Sequence, residues 1–136
     1  MYVDVDYAYY SARHYGGQSF DDALSRATPY AERGARMHGN TQWNATWNFY
    51  YALDQRGLCR LTNVDVRMDI TVGLPRLRTQ DRYTQENFQR YLSALEQHEQ
   101  IHVQISRDAA YELERVILQT RGEYNCDRLD RKRKRQ

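Results

Sequence analysis

The chain has 136 residues, which fits one domain, because dividing it would leave pieces too small for independent hydrophobic cores. Its net charge of +2 hides an asymmetry: the last ten residues hold six Lys or Arg against two Asp, so they carry +4 and residues 1–126 carry −2. No run approaches the roughly 18 apolar residues of a transmembrane helix. We predict no membrane span, a single domain over residues 1–126, and a basic tail over residues 127–136.

The basic tail has two interpretations. A run of like charges repels itself and is usually solvated and disordered, which is the interpretation we favour. The alternative is contact with an anionic surface such as nucleic acid, anionic lipid or a polyanionic cell wall. At the other end, the segment from Met1 to Asp4 lacks the charged start and apolar run of a signal peptide.

Three segments alternate between apolar and polar residues, with the period of two that predicts half-buried β-strands. They are Val3–Tyr9, Thr41–Leu53 and Val64–Leu74. In the third segment every even position is apolar and most odd positions are polar. This pattern predicts an antiparallel strand with one buried and one solvated face, ended by Pro75. Residues 33–40 are predicted to form a loop.

Two helices complete a predicted α+β fold. Ser19 is suited to cap a short helix that runs to Ala27, before Pro29 disturbs it. Helical spacing over residues 83–119 predicts a second helix of about 50 Å, so long that we expect a break near residues 84–87 or a frayed end. Its predicted apolar stripe is Phe88, Leu92, Leu95, Ile101, Ile105, Ala109, Leu113 and Val116. The fold class is therefore a small, mostly antiparallel sheet packed against the long helix, with a short helix near the N-terminus.

The long helix carries the chemistry-bearing motif His98-Glu99-Gln100-Ile101-His102. Histidines four residues apart share one helix face, about 5–6 Å apart at Cβ, so both can bind one zinc ion. Glu99 lies beside that face, where it can act as general base towards a water that zinc activates. The H-E-x-x-H pattern therefore predicts zinc-dependent hydrolysis of peptides. The alternative is two core or surface histidines beside a solvated glutamate. Because His98 and His102 interrupt the apolar stripe, we expect the pair to be buried.

A zinc site needs a further ligand, and the sequence does not identify it. The H-x-x-G-x-x-H extension is missing, and Glu112 lies roughly 15 Å along the helix from His102, too far to share the ion. His38, in the predicted loop before the second strand, is a candidate third ligand, and His14 is another. Both also fit the description of ordinary loop histidines.

Two further residue pairs have two interpretations each. Cys59 and Cys126 are either buried free thiols or a disulfide, which would stabilise the fold by roughly 3–4 kcal/mol. Trp43 and Trp47 share one face of the second strand, where they either pack in the core behind the zinc helix or form the aromatic wall of a substrate groove. The third strand offers another way to hold a peptide, by backbone pairing, if it lies at a sheet edge.

An ordered set of motifs resembles one family of bacterial proteins. Residues 39–50 match the stretch G-x-T-x-W-x-x-x-W-x-x-Y, and Cys59-Arg60, Leu74-Pro75 and the H-E-x-x-H motif follow in order. The continuation over residues 109–114 and the closing Cys126 complete the set. Over residues 5–126 the chain therefore resembles a bacterial domain-of-unknown-function family of predicted secreted zinc-dependent proteases, which are zincin-like.

The resemblance implies a secreted or periplasmic zinc protease whose signal peptide has been removed. It also implies that His98 and His102 are zinc ligands, that Glu99 is the general base, and that Cys59 pairs with Cys126. Family members continue into a Y-D-x-x-T-x-H-G element that this sequence does not contain. We expect zinc to be held here by two histidines together with water or a neighbour's side chain. The alternative function is a non-catalytic binding or structural module on the same scaffold, with an incomplete metal site.

Overall fold

The computed structural model describes residues 1–119 and confirms the predicted α+β class. A mostly antiparallel sheet, a long helix carrying the H-E-x-x-H motif and a short helix near the N-terminus are all present, as the sequence predicts. In chain order the elements are β1 (Tyr2–Arg13), α1 (Phe20–Ala27), β2 (Tyr30–Glu32), β3 (Ala35–Met37), β4 (Asn40–Leu53), β5 (Cys59–Arg78) and α2 (Arg82–Leu118). Ser19 caps α1, with its hydroxyl accepting from the Asp22 N–H, as predicted.

The three long strands form one sheet in the order β1-β5-β4. A tight turn joins β4 to β5, so these two neighbours are antiparallel. In this turn the Asp54 carboxylate accepts from the backbone N–H groups of Arg56 and Leu58, at 2.8 and 2.9 Å. Because β5 lies between β1 and β4, the third predicted strand is not an edge strand. β4, which follows the candidate ligand His38 in the chain, is an edge strand.

β2 and β3 form a two-stranded hairpin, and its turn and β3 lie within residues 33–40, which the sequence predicts to be a loop. The strands are antiparallel, with Tyr30 paired to Met37. The two residues between them, Arg33 and Gly34, have φ of 51° and 81°, the positive values of a type I′ hairpin turn. The loop prediction is wrong here because strands of three residues are too short to show a period of two.

The chain divides into two compact units. The first comprises Met1–Asp4, Asn44–Met68 and the residues from Ser106 onward, and the second comprises Val5–Trp43 and Asp69–Ile105. The strands β1, β4 and β5 and the helix α2 therefore each contribute residues to both units.

Each unit has its own apolar cluster, formed where α2 packs against β5. In the first unit, Val64 and Val66 of β5 are buried with Ile117 of α2. In the second unit, Leu77 of β5 and Phe88 of α2 are buried together with side chains of β1 and α1. Burial of aromatic and branched side chains of this size contributes about 1.5–3 kcal/mol each. The helix is thus held to the sheet by apolar contacts within each unit.

The apolar positions predicted for the third strand are confirmed. Each of the following is at most 3% exposed: Val64, Val66, Met68, Ile70, Val72 and Leu74. The strand does not end at Pro75, however, but continues to Arg78. Pro75 and Leu77 are both buried, so the apolar register extends past the proline.

Helix α2 is unbroken from Arg82 to Leu118, so the predicted break near residues 84–87 is wrong. The face turned inwards repeats every three or four residues. It comprises Phe88, Leu92, Leu95, Glu99, Val103, Ser106, Ala110, Leu113 and Ile117. The predicted stripe is wrong at Ile101 and Ile105, which are 60% and 58% exposed, and at Ala109 and Val116, which are also exposed. In the middle of α2, Glu99 and Ser106 are therefore buried, while the more apolar Ile101 and Ile105 are exposed.

Within residues 1–119, no helix is both long enough and apolar enough to cross a bilayer. Cys126 and the basic tail over residues 127–136 lie outside the described residues. The disulfide, the character of the tail and the single domain over residues 1–126 therefore stay predictions.

Candidate metal and catalytic site

The two histidines of the motif lie together on the exposed side of α2. Their Nε2 atoms are 3.1 Å apart, and their rings meet edge to face with centroids 4.7 Å apart. The structure thus brings His98 and His102 together, as their spacing predicts. It does not bury them, because α2 turns Glu99 towards the sheet instead.

This separation fits a shared zinc ion. Two nitrogens bound to one tetrahedral zinc at about 2.0–2.1 Å lie roughly 3.3–3.4 Å apart, so His98 and His102 need to separate by only a few tenths of an ångström. Neutral imidazoles are also among the preferred zinc ligands. Among residues 1–119, however, no group of three or more His, Cys, Asp or Glu side chains is placed to hold a metal ion. If zinc binds at the motif, this part of the chain can offer it two ligands of these types, His98 and His102.

The carboxylate of Glu99 lies on the buried face, next to the start of β4. The residue is only 4% exposed. Thr41 donates a hydrogen bond from Oγ1 to Glu99 Oε1 at 2.9 Å. The second oxygen, Oε2, lies beside Gly39, where a Cβ would be 3.1 Å from Oε2 and 3.0 Å from Leu95 Cδ1. A buried carboxylate is costly unless it is hydrogen-bonded, and Thr41 supplies that partner.

Contacts of the residues around Glu99 show which strand lies on each side of α2. Successive helix positions point about 100° apart. Gln100 donates to the Tyr7 hydroxyl of β1 at 2.7 Å, so β1 lies on one side. Around the helix axis, Gln100 lies about 100° to one side of Glu99. On the other side, His98 lies about 100° from Glu99 and His102 about 60°. The histidines therefore point away from β1, and the strand that reaches Glu99 is β4, through Thr41.

The histidine side of α2 is also apolar and exposed. Ile101 and Ile105 lie on it, one helical turn apart. On β4, Trp43 is 60% exposed and Trp47 is 37% exposed, so the interpretation that these rings pack in the core behind the helix is wrong. The interpretation that they line a groove stays a prediction.

His38, the candidate third ligand, has partners at both ring nitrogens. Nδ1 is 2.5 Å from the Tyr91 hydroxyl, and Nε2 is 2.9 Å from Ser25 Oγ. Its backbone carbonyl accepts from the Tyr10 hydroxyl at 2.6 Å. His38 therefore ties the segment before β4 to β1, α1 and α2, while its role as a ligand stays a prediction. His14, the other candidate, has its ring nitrogens 2.9 Å from Thr79 Oγ1 and 2.6 Å from the Gln18 carbonyl.

Stability at high pH is expected to depend on Tyr10. Burial raises the pKa of its phenol from 10.0 to about 12. The unfolded chain therefore loses this proton near pH 10 while the folded chain keeps it, so the contribution is complete below pH 10 and is lost between pH 10 and about 12. Urea midpoints measured across this window should fall less steeply for Tyr10→Phe than for the wild type. Tyr83→Phe, at an exposed tyrosine, is the control. Equal slopes for Tyr10→Phe and wild type would contradict the expectation.

A large cavity lies elsewhere in the second unit. Its volume is about 1020 Å³, and it lies where β1 and β5 end and α2 begins. The lining includes Arg13, His14, Arg78 and Asp81, and no residue of the H-E-x-x-H motif. Size alone is a poor guide to chemistry, so we place the candidate site at the motif, where two neighbouring histidine rings and a buried glutamate lie on the same turn of α2.

The sequence also matches a family model. The model is described as a bacterial protein of unknown function (DUF922), and it matches residues 7–136. The chain belongs to the DUF922 family. Neither curated proteins nor solved structures give a significant match. The DUF922 description assigns no reaction, so the function has to be argued from the residues of the site.

Two neighbours of Glu99 in this DUF922 chain, Gly39 and Thr41, were not predicted to lie beside it. Both belong to the G-x-T start of the motif over residues 39–50, so a signal was present. The contact with Glu99 could not be predicted from this signal, because Thr41 and Glu99 are 58 positions apart and only the fold brings them together.

Proposed function

We propose that this DUF922 chain is a zinc-dependent hydrolase of peptide bonds. His98 and His102 are two of the zinc ligands, and Glu99 is the general base. One observation carries the proposal: two Nε2 atoms lie 3.1 Å apart on an exposed helix face, beside a buried carboxylate that is the next residue in the chain. Two such nitrogens and an adjacent carboxylate correspond to two of the metal ligands and the general base of zinc-dependent hydrolysis.

Glu99 moves the protons of the reaction. Its carboxylate takes a proton from the attacking water while the water oxygen bonds to the carbonyl carbon. It then delivers that proton to the amide nitrogen as the carbon–nitrogen bond breaks, so the carboxylate is regenerated. Zinc held by the two histidines would supply the Lewis acidity, by lowering the pKa of a water and polarising the carbonyl.

The surroundings of the histidine pair suit a peptide. Ile101 and Ile105 are exposed on the same side of α2, and Trp43 is exposed on β4. These residues can contact apolar side chains of a substrate. β4 is also an edge strand, and an edge strand can pair with an extended peptide backbone. A peptide or protein is therefore the substrate class that we propose.

We further propose that the protein works in an oxidising compartment, the periplasm or the exterior, with Cys59 paired to Cys126. Cys59 is buried at the start of β5, where a bridge would tether one end of the strand. The intact mass of the protein purified from the periplasm should rise on reduction. An unchanged mass would contradict the pairing.

Metal removal tests the proposed function directly. The full chain, loaded with zinc and mixed with peptides from a bacterial proteome, is expected to generate new peptide termini detectable by mass spectrometry. A chelator should stop the cleavage, and added zinc should restore it, because the histidine pair holds the activating ion. Bound zinc without any cleavage would instead identify a non-catalytic module. Cleavage that persists in the chelator would contradict the role of zinc.

A further inference from the structure

We propose that Thr41 and Gly39 are positioning residues for the carboxylate of Glu99. This inference rests on the proposed function, because it explains how the chain holds its general base. It assigns a role to the Gly39-Asn40-Thr41 start of β4, which neither the histidine pair nor the apolar core accounts for.

The two oxygens of the Glu99 carboxylate have different neighbours. Thr41 Oγ1 donates to Oε1 at 2.9 Å. Oε2 lies beside Gly39, whose missing side chain lets the backbone approach it. The hydrogen bond at Oε1 restricts the rotation of the carboxylate, and in this proposal Oε2 is the oxygen left to exchange protons. A general base works only within hydrogen-bond reach of its proton, so this orientation matters for the rate.

Gly39 fits closely against two side chains of α2. A Cβ at this position would lie 3.0 Å from Leu95 Cδ1 and 3.1 Å from Glu99 Oε2, and both distances are tighter than ordinary contacts. Alanine could be accommodated only if these side chains moved by a few tenths of an ångström. Glycine is therefore the residue that allows Glu99 and Leu95 their observed positions.

The segment before Thr41 is held by contacts from several elements. The Tyr10 hydroxyl of β1 donates to the His38 carbonyl, and the His38 ring contacts Ser25 of α1 and Tyr91 of α2. The Thr28 hydroxyl donates to the Met37 carbonyl. A hydroxyl on such a braced segment keeps its place when a substrate binds, as catalytic supports need to do. In this account His38 supports the site by bracing β4.

The experiment compares Thr41→Val, which keeps the shape but removes the hydroxyl, with Thr41→Ser, which keeps the hydroxyl. Both are measured in the full zinc-loaded chain, with the proteome-derived peptide that it cleaves fastest. Thr41→Val is expected to lower kcat about tenfold, the effect of losing a hydrogen bond to a charged group, with KM and zinc content unchanged. Thr41→Ser should recover most of the loss. Gly39→Ala should also lower kcat with zinc retained.

A second readout does not depend on activity. In the metal-free chain, urea midpoints are measured for Thr41→Val, Glu99→Leu and the double variant. Positioning through the carboxylate predicts that Thr41→Val lowers the midpoint in the wild type and much less once Glu99 is replaced. A role of Thr41 in β4 alone predicts equal shifts in both backgrounds, and that result would overturn the proposal.

The two readouts separate the two proposals. If the wild-type chain cleaves no peptide but the midpoints show coupling, the hydrolase function is wrong and Thr41 still positions Glu99. If the wild type cleaves peptides and Thr41→Val keeps full kcat, the positioning role is wrong and the hydrolase function stands.

Discussion

Replacing Glu99 with Gln is expected to lower kcat for peptide cleavage by at least about 100-fold, the lower end of what general acid–base catalysis contributes. The amide has nearly the same shape as the carboxylate, and its oxygen can still accept from Thr41, so the fold should persist. An amide cannot take a proton from water, however. Zinc content should therefore stay at the wild-type value, because the two histidines on the exposed face are untouched. Steady-state kinetics and metal analysis of the same preparation check both parts.

Glu96→Gln is the matched control for this variant. Glu96 is three residues earlier on α2 and exposed, so its replacement changes the charge of the helix by the same amount without altering the buried face. It should leave kcat within about twofold, since exposed substitutions rarely disturb a fold. If Glu99→Gln cleaved peptides at the wild-type rate, Glu99 would not be the base.

Replacing either His98 or His102 with Ala is expected to weaken zinc binding by more than about 100-fold, beyond the 10–100-fold loss typical of an outer-shell partner. Each variant removes one of the two ring nitrogens that lie 3.1 Å apart. Both histidines are exposed, so the free energy of unfolding of the metal-free chain should change by no more than about 0.5 kcal/mol. Titration with zinc, read by calorimetry, measures the affinity.

Gln97→Ala controls for a change on the exposed surface of α2, and it should not alter zinc affinity. Unchanged zinc affinity in His98→Ala and His102→Ala would place the metal elsewhere and remove the basis of the proposed function.

The fold was predictable where a periodic pattern extended over many residues. Alternation over Val64–Leu74 identified the central strand, and Ser19 identified the start of α1. The β2–β3 hairpin could not be seen, because strands of three residues carry too little pattern. The order of strands could not be seen either, since periodicity reports which residues are buried and not which strand is their neighbour.

The orientation of α2 shows a different limit. Through its middle the helix offers two candidate inner faces, one with Ile101 and Ile105 and one with Glu99 and Val103. Hydrophobicity favours burial of the first face, but in the structure the second face is the buried one. The buried carboxylate is tolerated because Thr41 is there to donate to it, and a sequence period cannot report a donor 58 positions away. An exposed apolar face beside a buried acid is the reverse of what hydrophobic packing alone favours.

At the candidate site, the spacing of His98 and His102 was enough to predict that their side chains meet. A third ligand could not be predicted, and residues 1–119 place none beside the pair. The sequence showed Gly39 and Thr41 as part of a motif, but only the structure shows that both lie against Glu99.

The proposed function depends above all on zinc binding by His98 and His102 together. X-ray absorption at the zinc edge tests it most directly, using the full chain loaded with zinc and the double variant His98→Ala/His102→Ala. We predict nitrogen ligands at about 2.0–2.1 Å with the outer-shell scattering of imidazole in the wild type, and loss of that scattering in the double variant. A wild-type spectrum without imidazole scattering, or one that the double variant reproduces, would contradict the account.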